Sequence, residues 1–117
     1  MIFEGLFGRP DQANRAAEIG HDELVALQRK EQCHIVDVRE AHEFAGGHIP
    51  GAINLPLSRF DPNQLPAGKR VVLVCQAGGR SATALRRALK AGVADIAHYA
   101  PGTGGWRARG GPLESGR

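Results

Sequence analysis

Residues 71–81 are Val-Val-Leu-Val-Cys-Gln-Ala-Gly-Gly-Arg-Ser, and this stretch decides the fold. Four aliphatic residues in succession, three of them β-branched valines, predict a strand that is buried on both faces. From Ser81 the pattern Ser-Ala-Thr-Ala-Leu-Arg-Arg-Ala-Leu-Lys-Ala predicts a helix. Cys75 therefore lies at the carboxyl end of a buried strand, just before a helix begins.

This is the position at which open α/β sheets bind ligands, in the crevice beyond the carboxyl ends of the strands. The first turn of the next helix offers unpaired N–H groups and the positive end of a dipole. Gly78 and Gly79 allow the loop to point several N–H groups inward, which forms a binding site for an anion. A thiolate is such an anion, and its pKa falls from about 8.5 into roughly the 3.5–7.5 range at such a place. We therefore predict that Cys75 is a reactive nucleophile rather than an inert core thiol.

Arg80 closes the loop that begins at Cys75, with four residues between them. Its guanidinium carries a fixed charge and binds carboxylates and oxyanions through paired hydrogen bonds. It either binds an anionic substrate or pairs with a carboxylate that braces the loop. The sequence leaves both roles open.

Composition limits the range of partners. The 117 residues form one domain, large enough to bury about two-thirds of the unfolded surface in one core. The net charge is +3 and the pI about 9.3, but the basic residues are spread along the chain, with one Tyr and one Trp among them. This pattern does not predict nucleic-acid binding, whereas a mildly positive protein is suited to small anionic substrates.

The cysteines indicate the redox compartment. Cys33 and Cys75 are separated by 41 residues, and the chain has no CxxC motif. This spacing argues against a disulfide framework or a dithiol redox centre and favours a reducing compartment. The N-terminal residues lack the cationic start and the long apolar run of a signal peptide or a membrane span. We therefore expect a cytoplasmic protein.

The chain divides into three parts. Residues 1–18 form an arm with an apolar start and a polar continuation, residues 19–114 form the domain, and residues 115–117 are a tail. The arm either packs on its own domain or frays, or it provides a patch for a protein partner or for self-association.

Within the domain, strand patterns alternate with helix patterns, which predicts a parallel sheet covered on both faces. Gly20 serves as the N-cap of the first helix, and Gly92 ends the long helix that follows the cysteine loop. The predicted helical segments are 21–30, 39–44, one or two turns within 57–65, and 81–91. The predicted strands are 34–38, 53–56, 71–74 and 95–100, and residues 101–106 are predicted to form a tight loop.

Several other residues invite a functional interpretation. Cys33, His34, His42 and His48 do not have the spacing of a structural zinc site, so we predict no metal and no cofactor. Cys33 begins a strand and is expected to be half-buried.

Four further residues are expected to serve the structure. Asp37 and Arg39 are expected to brace a turn by pairing with the backbone or with Glu43, although they could also face the active site. We expect His48 to hydrogen-bond to the backbone and Trp106 to pack in the core.

Six short motifs succeed one another along residues 19–114. They are Val36-Asp-Val-Arg-Glu40, Glu43-Phe44, Gly47-His-Ile-Pro-Gly-Ala52, Asn54-Leu-Pro56, the stretch 71–81 and Gly102-Thr-Gly-Gly-Trp106. Each motif is weak alone, but six in this order are specific, and the chain resembles single-domain members of the rhodanese family of sulfurtransferases. The resemblance implies an α/β fold with a central parallel five-stranded sheet and helices on both faces.

The resemblance also implies a reaction. A cysteine accepts a sulfane sulfur, becomes a persulfide, and passes the sulfur to a thiol or to cyanide. By correspondence with the family motif, Cys75 is the nucleophile. The loop that cradles the persulfide consists of Gln76, Ala77, Gly78, Gly79 and Arg80.

One position departs from the family pattern. Pro101-Gly102 stands where paired glycines usually precede Trp106, and a proline has a fixed φ and no N–H donor. The departure concerns the local turn and not the cysteine loop.

Thiosulfate suits these residues on chemical grounds as well. Arg80 and the loop N–H groups can hold the sulfonate while the Cys75 thiolate attacks the outer sulfur. Sulfite is so good a leaving group that no general acid is required.

Two other function classes remain open. A cysteine-dependent phosphatase would hold phosphate in a similar loop, but that loop has five residues between Cys and Arg, and this chain has four. In addition, Val74 stands where tyrosine phosphatases have a histidine. A noncatalytic rhodanese-like binding or sulfur-carrier module is the second alternative, although noncatalytic modules commonly lack the cysteine.

Overall fold

The computed structural model describes residues 17–116, and the elements of this section lie within them. The helices are α1 (His21–Arg29), α2 (Ala41–Gly46), α3 (Gly79–Lys90) and α4 (Gly102–Ala108). The strands are β1 (Cys33–Asp37), β2 (Ile53–Asn54), β3 (Arg70–Val74) and β4 (Ile96–His98). Two short 3₁₀ turns, Leu57–Arg59 and Pro62–Gln64, connect β2 to β3. Most of the predicted arm lies outside the described residues, so its role in partner binding stays a prediction.

All four strands run parallel, in the order β2-β1-β3-β4. This confirms the α/β fold with a parallel sheet. The prediction of five strands is wrong for residues 17–116, where the sheet has four. Beyond β4 these residues form only a single parallel bridge, between Glu18 and His98. The backbone of His98 bonds to Ala17 and Ile19 on either side of that bridge, at 2.8 and 3.1 Å. Pairing stops there because the chain turns at Gly20 into α1.

The core lies on both faces of the sheet, as the apolar run at β3 predicts. Val71 and Leu73 pack on the face covered by α3, together with the buried side chains Ala84, Leu85 and Ala88. Val72 and Val74 pack on the opposite face, which holds Leu24 of α1 and Trp106 of α4. Because side chains alternate along a strand, one short run of aliphatic residues supplies both cores.

The prediction of a tight loop over residues 101–106 is wrong, since α4 begins at Gly102. Three of the first four residues of α4 are glycines, which have low helix propensity, so the sequence pattern does not predict a helix here. Long-range contacts overcome that cost. The N–H groups of Thr103 and Gly104 donate to the carbonyl oxygens of Cys75 and Gln76, at 2.7 and 3.0 Å. Gly102 has φ +69°, and a Cβ there would overlap those same carbonyl oxygens.

Several boundaries differ from prediction by a few residues: α2 spans Ala41–Gly46 rather than 39–44, and β2 spans Ile53–Asn54 rather than 53–56. Helix α3 begins at Gly79 rather than at Ser81, and β4 is confined to Ile96–His98 within the predicted 95–100. The earlier start of α3 matters for the site, because it brings the first helical N–H groups close to Cys75.

Candidate active site

Cys75 follows the last residue of β3 and is 1% exposed. The chain then turns into α3 through Gly78, which has φ +99° and is the helix N-cap. A side chain at this position would also meet a neighbour, because a Cβ would lie 2.6 Å from the carbonyl oxygen of Ala100. Only glycine satisfies both the backbone angle and the space. The turn is thereby tight enough to direct helix N–H groups at the cysteine sulfur.

The sulfur of Cys75 lies among hydrogen-bond donors. The N–H of Gly78 donates to Sγ at 3.1 Å, and the N–H of Ser81 donates at 3.3 Å. The hydroxyl oxygen of Ser81 lies 3.6 Å from Sγ. Burial is the largest influence on the pKa of Cys75 and raises it, but the hydrogen bonds from Ser81, Ala77 and Gly78 together outweigh burial. The net effect lowers the pKa of Cys75, which favours the thiolate.

The other loop residues have different surroundings. Gln76 and Ala77 are exposed, and the backbone of Gln76 holds α4 through its carbonyl oxygen. Gly79 is the first residue of α3, and nothing lies within 4 Å of a Cβ built on it. Of the two glycines singled out in the sequence, Gly78 is therefore the one whose conformation the loop requires.

Arg80 pairs with a carboxylate on a neighbouring helix. Its two Nη atoms donate to the two carboxylate oxygens of Glu43, on α2, at 2.7 and 3.1 Å. The hydrogen bond from Arg80 is the main reason why the pKa of Glu43 falls from its ordinary 4.5 to about 2. Of the two roles left open by the sequence, the bracing role has a visible partner. The pair holds the cysteine loop against α2.

Of the two partners expected for Asp37 and Arg39, the structure shows the backbone and not Glu43, which pairs with Arg80. Arg39 instead pairs with Asp37, at 2.8 Å between Nη2 and Oδ2, and also donates to the carbonyl oxygen of Gly47 at 2.7 Å. Both side chains are buried, which favours a close pair with full hydrogen bonding. They brace the turn, as expected, but through each other and the backbone.

Two further predictions agree with the structure. The ring of His48 bonds through Nδ1 to the carbonyl oxygen of Phe44 at 2.8 Å and stacks on the Phe44 ring. Trp106 is 2% exposed, and its indole N–H donates to Pro112.

Cys33 is half-buried, as expected, and lies at the start of β1, opposite Arg70 and at the other end of the sheet from Cys75. Burial raises the pKa of Cys33. The pKa values of the two cysteines are therefore shifted in opposite directions.

Sequence reasoning missed two residues near the sulfur. Ser81 was predicted only as a helix start, yet its hydroxyl lies against Cys75 and 2.9 Å from Nδ1 of His98. The sequence pattern predicts only a strand at His98, which lies on β4. A polar imidazole facing inward from a short apolar strand was the one signal in the sequence that marked it.

The edge of the sheet beside the loop is open and polar. A cavity of about 210 Å³ is lined by side chains that include Arg39, Gln76, Thr103 and Arg107. A second cavity of about 310 Å³ lies on the other side of the loop, against Gly78 and His98. Among the described residues, no helix is long and apolar enough to cross a membrane.

Curated relatives share much of the chain. An uncharacterised Synechocystis protein, slr1261, is 45% identical over 91 residues, which are 76% of this chain and 51% of that protein. A protein of Bacillus subtilis named putative sulfur carrier protein YrkF is 30% identical over 85% of this chain and 57% of its own length. The chain thus spans little more than half of these relatives.

Solved structures share the fold. The human single-domain sulfurtransferase TSTD1 is 26% identical, with a TM-score of 0.71 over 80% of this chain and 96% of that one. A Rhodopseudomonas palustris protein of unknown function, described as a possible tyrosine phosphatase, is 33% identical, with a TM-score of 0.75 over 89% of both chains. The family model described as the rhodanese-like domain matches residues 20–109. With this match over most of its length, the chain belongs to the rhodanese-like domain family.

Proposed function

We propose that the protein is a sulfurtransferase that moves a sulfane sulfur from an anionic donor such as thiosulfate to a thiol or to cyanide. The sulfur travels as a persulfide on Cys75. The observation that carries this proposal is the set of N–H groups around Sγ, from Gly78 and Ser81. These groups stabilise a negative sulfur in the thiolate and again when a charged outer sulfur has been added.

The reaction needs one nucleophile. The Cys75 thiolate attacks the outer sulfur of thiosulfate, the S–S bond of the donor breaks, and sulfite leaves with the bonding electron pair. In the second step the acceptor thiolate or cyanide attacks the outer sulfur of the persulfide. Cys75 then leaves as a thiolate, so that oxidation states balance without an external oxidant or reductant.

The family and the names of relatives support sulfur transfer in general. One relative is named a putative sulfur carrier and one similar structure a sulfurtransferase. The identity of the donor and acceptor is part of the proposal. A reducing compartment, for which we propose the cytoplasm, would keep Cys75 available as a thiol.

Phosphatase activity is the less favoured alternative, although one similar structure is described as a possible tyrosine phosphatase. Four residues separate Cys75 from Arg80. Arg80 is also held by both carboxylate oxygens of Glu43, whereas a phosphate would need a guanidinium free to bind its oxygens. A purely noncatalytic module is disfavoured because Cys75 keeps its surrounding donors.

The test is a comparison of two activities on one preparation. With thiosulfate and cyanide, the protein should form thiocyanate, and with an aryl phosphate it should release no phenol. Cys75→Ser should abolish thiocyanate formation, while Cys33→Ser, the matched control, should retain it. Phosphate release by the unmodified protein, or thiocyanate formation by Cys75→Ser, would contradict the proposal.

A further inference from the structure

A buried chain of polar side chains leads away from the sulfur of Cys75. Ser81 Oγ lies 3.6 Å from Sγ and 2.9 Å from Nδ1 of His98. The other ring nitrogen, Nε2, lies 3.6 Å from a carboxylate oxygen of Glu18. Ser81 is fully buried and His98 is 4% exposed. Four side chains from four segments thus form a continuous path from the sulfur to the surface.

The hydrogen bonds of Ser81 allow two arrangements. The hydroxyl has one proton and can donate it to His98 Nδ1 or to the carbonyl oxygen of Gly78 at 3.2 Å, while its lone pairs can accept a proton from Cys75. The carboxylate of Glu18 favours the tautomer with hydrogen on Nε2, which leaves a lone pair on Nδ1. In this arrangement each group can pass a proton to the next.

We propose that His98 is a positioning residue that receives the proton of Cys75 through Ser81. The S–H bond of Cys75 breaks as its proton moves to Ser81 Oγ, and the original hydroxyl proton of Ser81 moves to His98 Nδ1. The products are a Cys75 thiolate and a His98 imidazolium, with the Ser81 hydroxyl restored between them. This deepens the proposed sulfur transfer, on which it rests, by stating where the proton of the nucleophile goes.

The charges around His98 fit this role. Burial lowers the pKa of His98, and the Glu18 carboxylate partly offsets that effect. Burial therefore favours the neutral ring, whose Nδ1 lone pair is able to accept a proton. After transfer, the imidazolium faces Glu18 from the segment before α1 on one side. On the other side it faces Ser81 and the thiolate beyond it.

Backbone contacts hold this arrangement in place. The backbone N–H of His98 donates to Ala17 at 2.8 Å and its carbonyl oxygen accepts from Ile19 at 3.1 Å, so that both neighbours of Glu18 are bonded to His98. The cavity of about 310 Å³ beside the loop is lined by both Glu18 and His98. The side chain of Glu18 is 47% exposed, so this end of the path meets water. A proton can leave or return there when Cys75 changes its ionisation state.

The direct test is the pKa of the His98 ring, followed by NMR in the unmodified protein and in Cys75→Ser. If the imidazolium and the thiolate stabilise each other, the thiolate raises the pKa of His98 by the same amount as the imidazolium lowers the pKa of Cys75. We expect the pKa of His98 to be higher in the unmodified protein by at least about one unit, which is a tenfold change in proton affinity. Equal pKa values in the two proteins would overturn the proposal.

A variant pair supplies a second readout, the pH dependence of Cys75 alkylation. His98→Asn should raise the pKa of Cys75 and slow its alkylation at pH 7 by about tenfold, because the thiolate loses the imidazolium that stabilises it. His34→Asn is the matched control, since His34 lies at the opposite end of the sheet, bonded to Ala67. An unchanged profile in His98→Asn would overturn the proposal.

The two tests separate this inference from the proposed function. Neither uses a sulfur donor, so coupling between His98 and Cys75 can be present even if sulfur transfer is absent, and the reverse can also be found. Should His98→Asn fail to fold, the NMR comparison of the unmodified protein with Cys75→Ser still decides.

Discussion

The two glycines of the cysteine loop should respond in opposite ways to the same substitution. Gly78 has φ +99°, and a Cβ there would lie 2.6 Å from a backbone oxygen, that of Ala100. Gly79 has nothing within 4 Å of its Cβ position and is the first residue of α3. Gly78→Ala and Gly79→Ala add the same methyl group one residue apart. Their comparison therefore isolates the conformation of the turn.

The magnitude follows from two contributions at Gly78. The left-handed conformation costs an alanine roughly 1–2 kcal/mol. The overlap with Ala100 adds to this because a backbone carbonyl cannot move aside as the end of a flexible side chain can, so we expect a total loss of about 2–4 kcal/mol. At Gly79 alanine should be neutral or stabilising, by up to about 1 kcal/mol, since it favours the helix.

Urea denaturation measures the change in the free energy of unfolding. The rate of Cys75 alkylation at pH 7 measures the change in the ionisation of the thiol. In Gly78→Ala the shifted turn removes an N–H donor from Sγ, which should raise the pKa of Cys75 and slow alkylation. Gly79→Ala should react as the unmodified protein does. Equal stability of the two variants, or unchanged alkylation in Gly78→Ala, would refute the reasoning.

Two other predictions concern contacts that brace the site. Because the pKa of Glu43 is lowered to about 2 in the folded protein, its pair with Arg80 should contribute stability above about pH 5 and lose it as the pH falls toward 2. Urea denaturation of Arg80→Ala against the unmodified protein should show a difference of about 1 kcal/mol at pH 7, because both side chains are partly exposed, and little difference near pH 2; a constant difference across this range would contradict the pairing. Gly102→Ala should destabilise the protein by more than about 2 kcal/mol, since its Cβ would overlap two backbone oxygens, and a melting temperature equal to that of the unmodified protein would contradict this packing.

Local sequence patterns predict most of the secondary structure. The aliphatic run before Cys75 predicted a strand buried on both faces, and the residues after the cysteine predicted a turn into a helix. These signals are local because they depend on side-chain alternation and on glycine conformation. The position of Cys75 at the edge of the sheet followed from them.

What the sequence could not supply depends on contacts between distant residues. Helix α4 is rich in glycine, and its first turn is held by the carbonyl oxygens of Cys75 and Gln76. The partner of Arg80 lies 37 residues away. No local sequence pattern distinguishes an arginine that binds a substrate from one that is paired with a carboxylate of the same chain.

The path from Cys75 to Glu18 was missed for the same reason. Ser81 and His98 are 17 residues apart and meet only because β4 lies beside β3, with α3 packed across them. Glu18 forms the single bridge to His98 that stands in place of a fifth strand. Its carboxylate also faces the His98 ring. Tertiary packing thus determines the surroundings of the sulfur beyond the loop itself.

The most direct test of sulfur transfer is to locate the transferred atom. After brief treatment with thiosulfate and removal of the excess, peptide mass spectrometry should find one added sulfur atom on Cys75 and none on Cys33. Cyanide should remove it stoichiometrically as thiocyanate. An unmodified Cys75, or sulfur found on Cys33 instead, would contradict the proposed role of the loop.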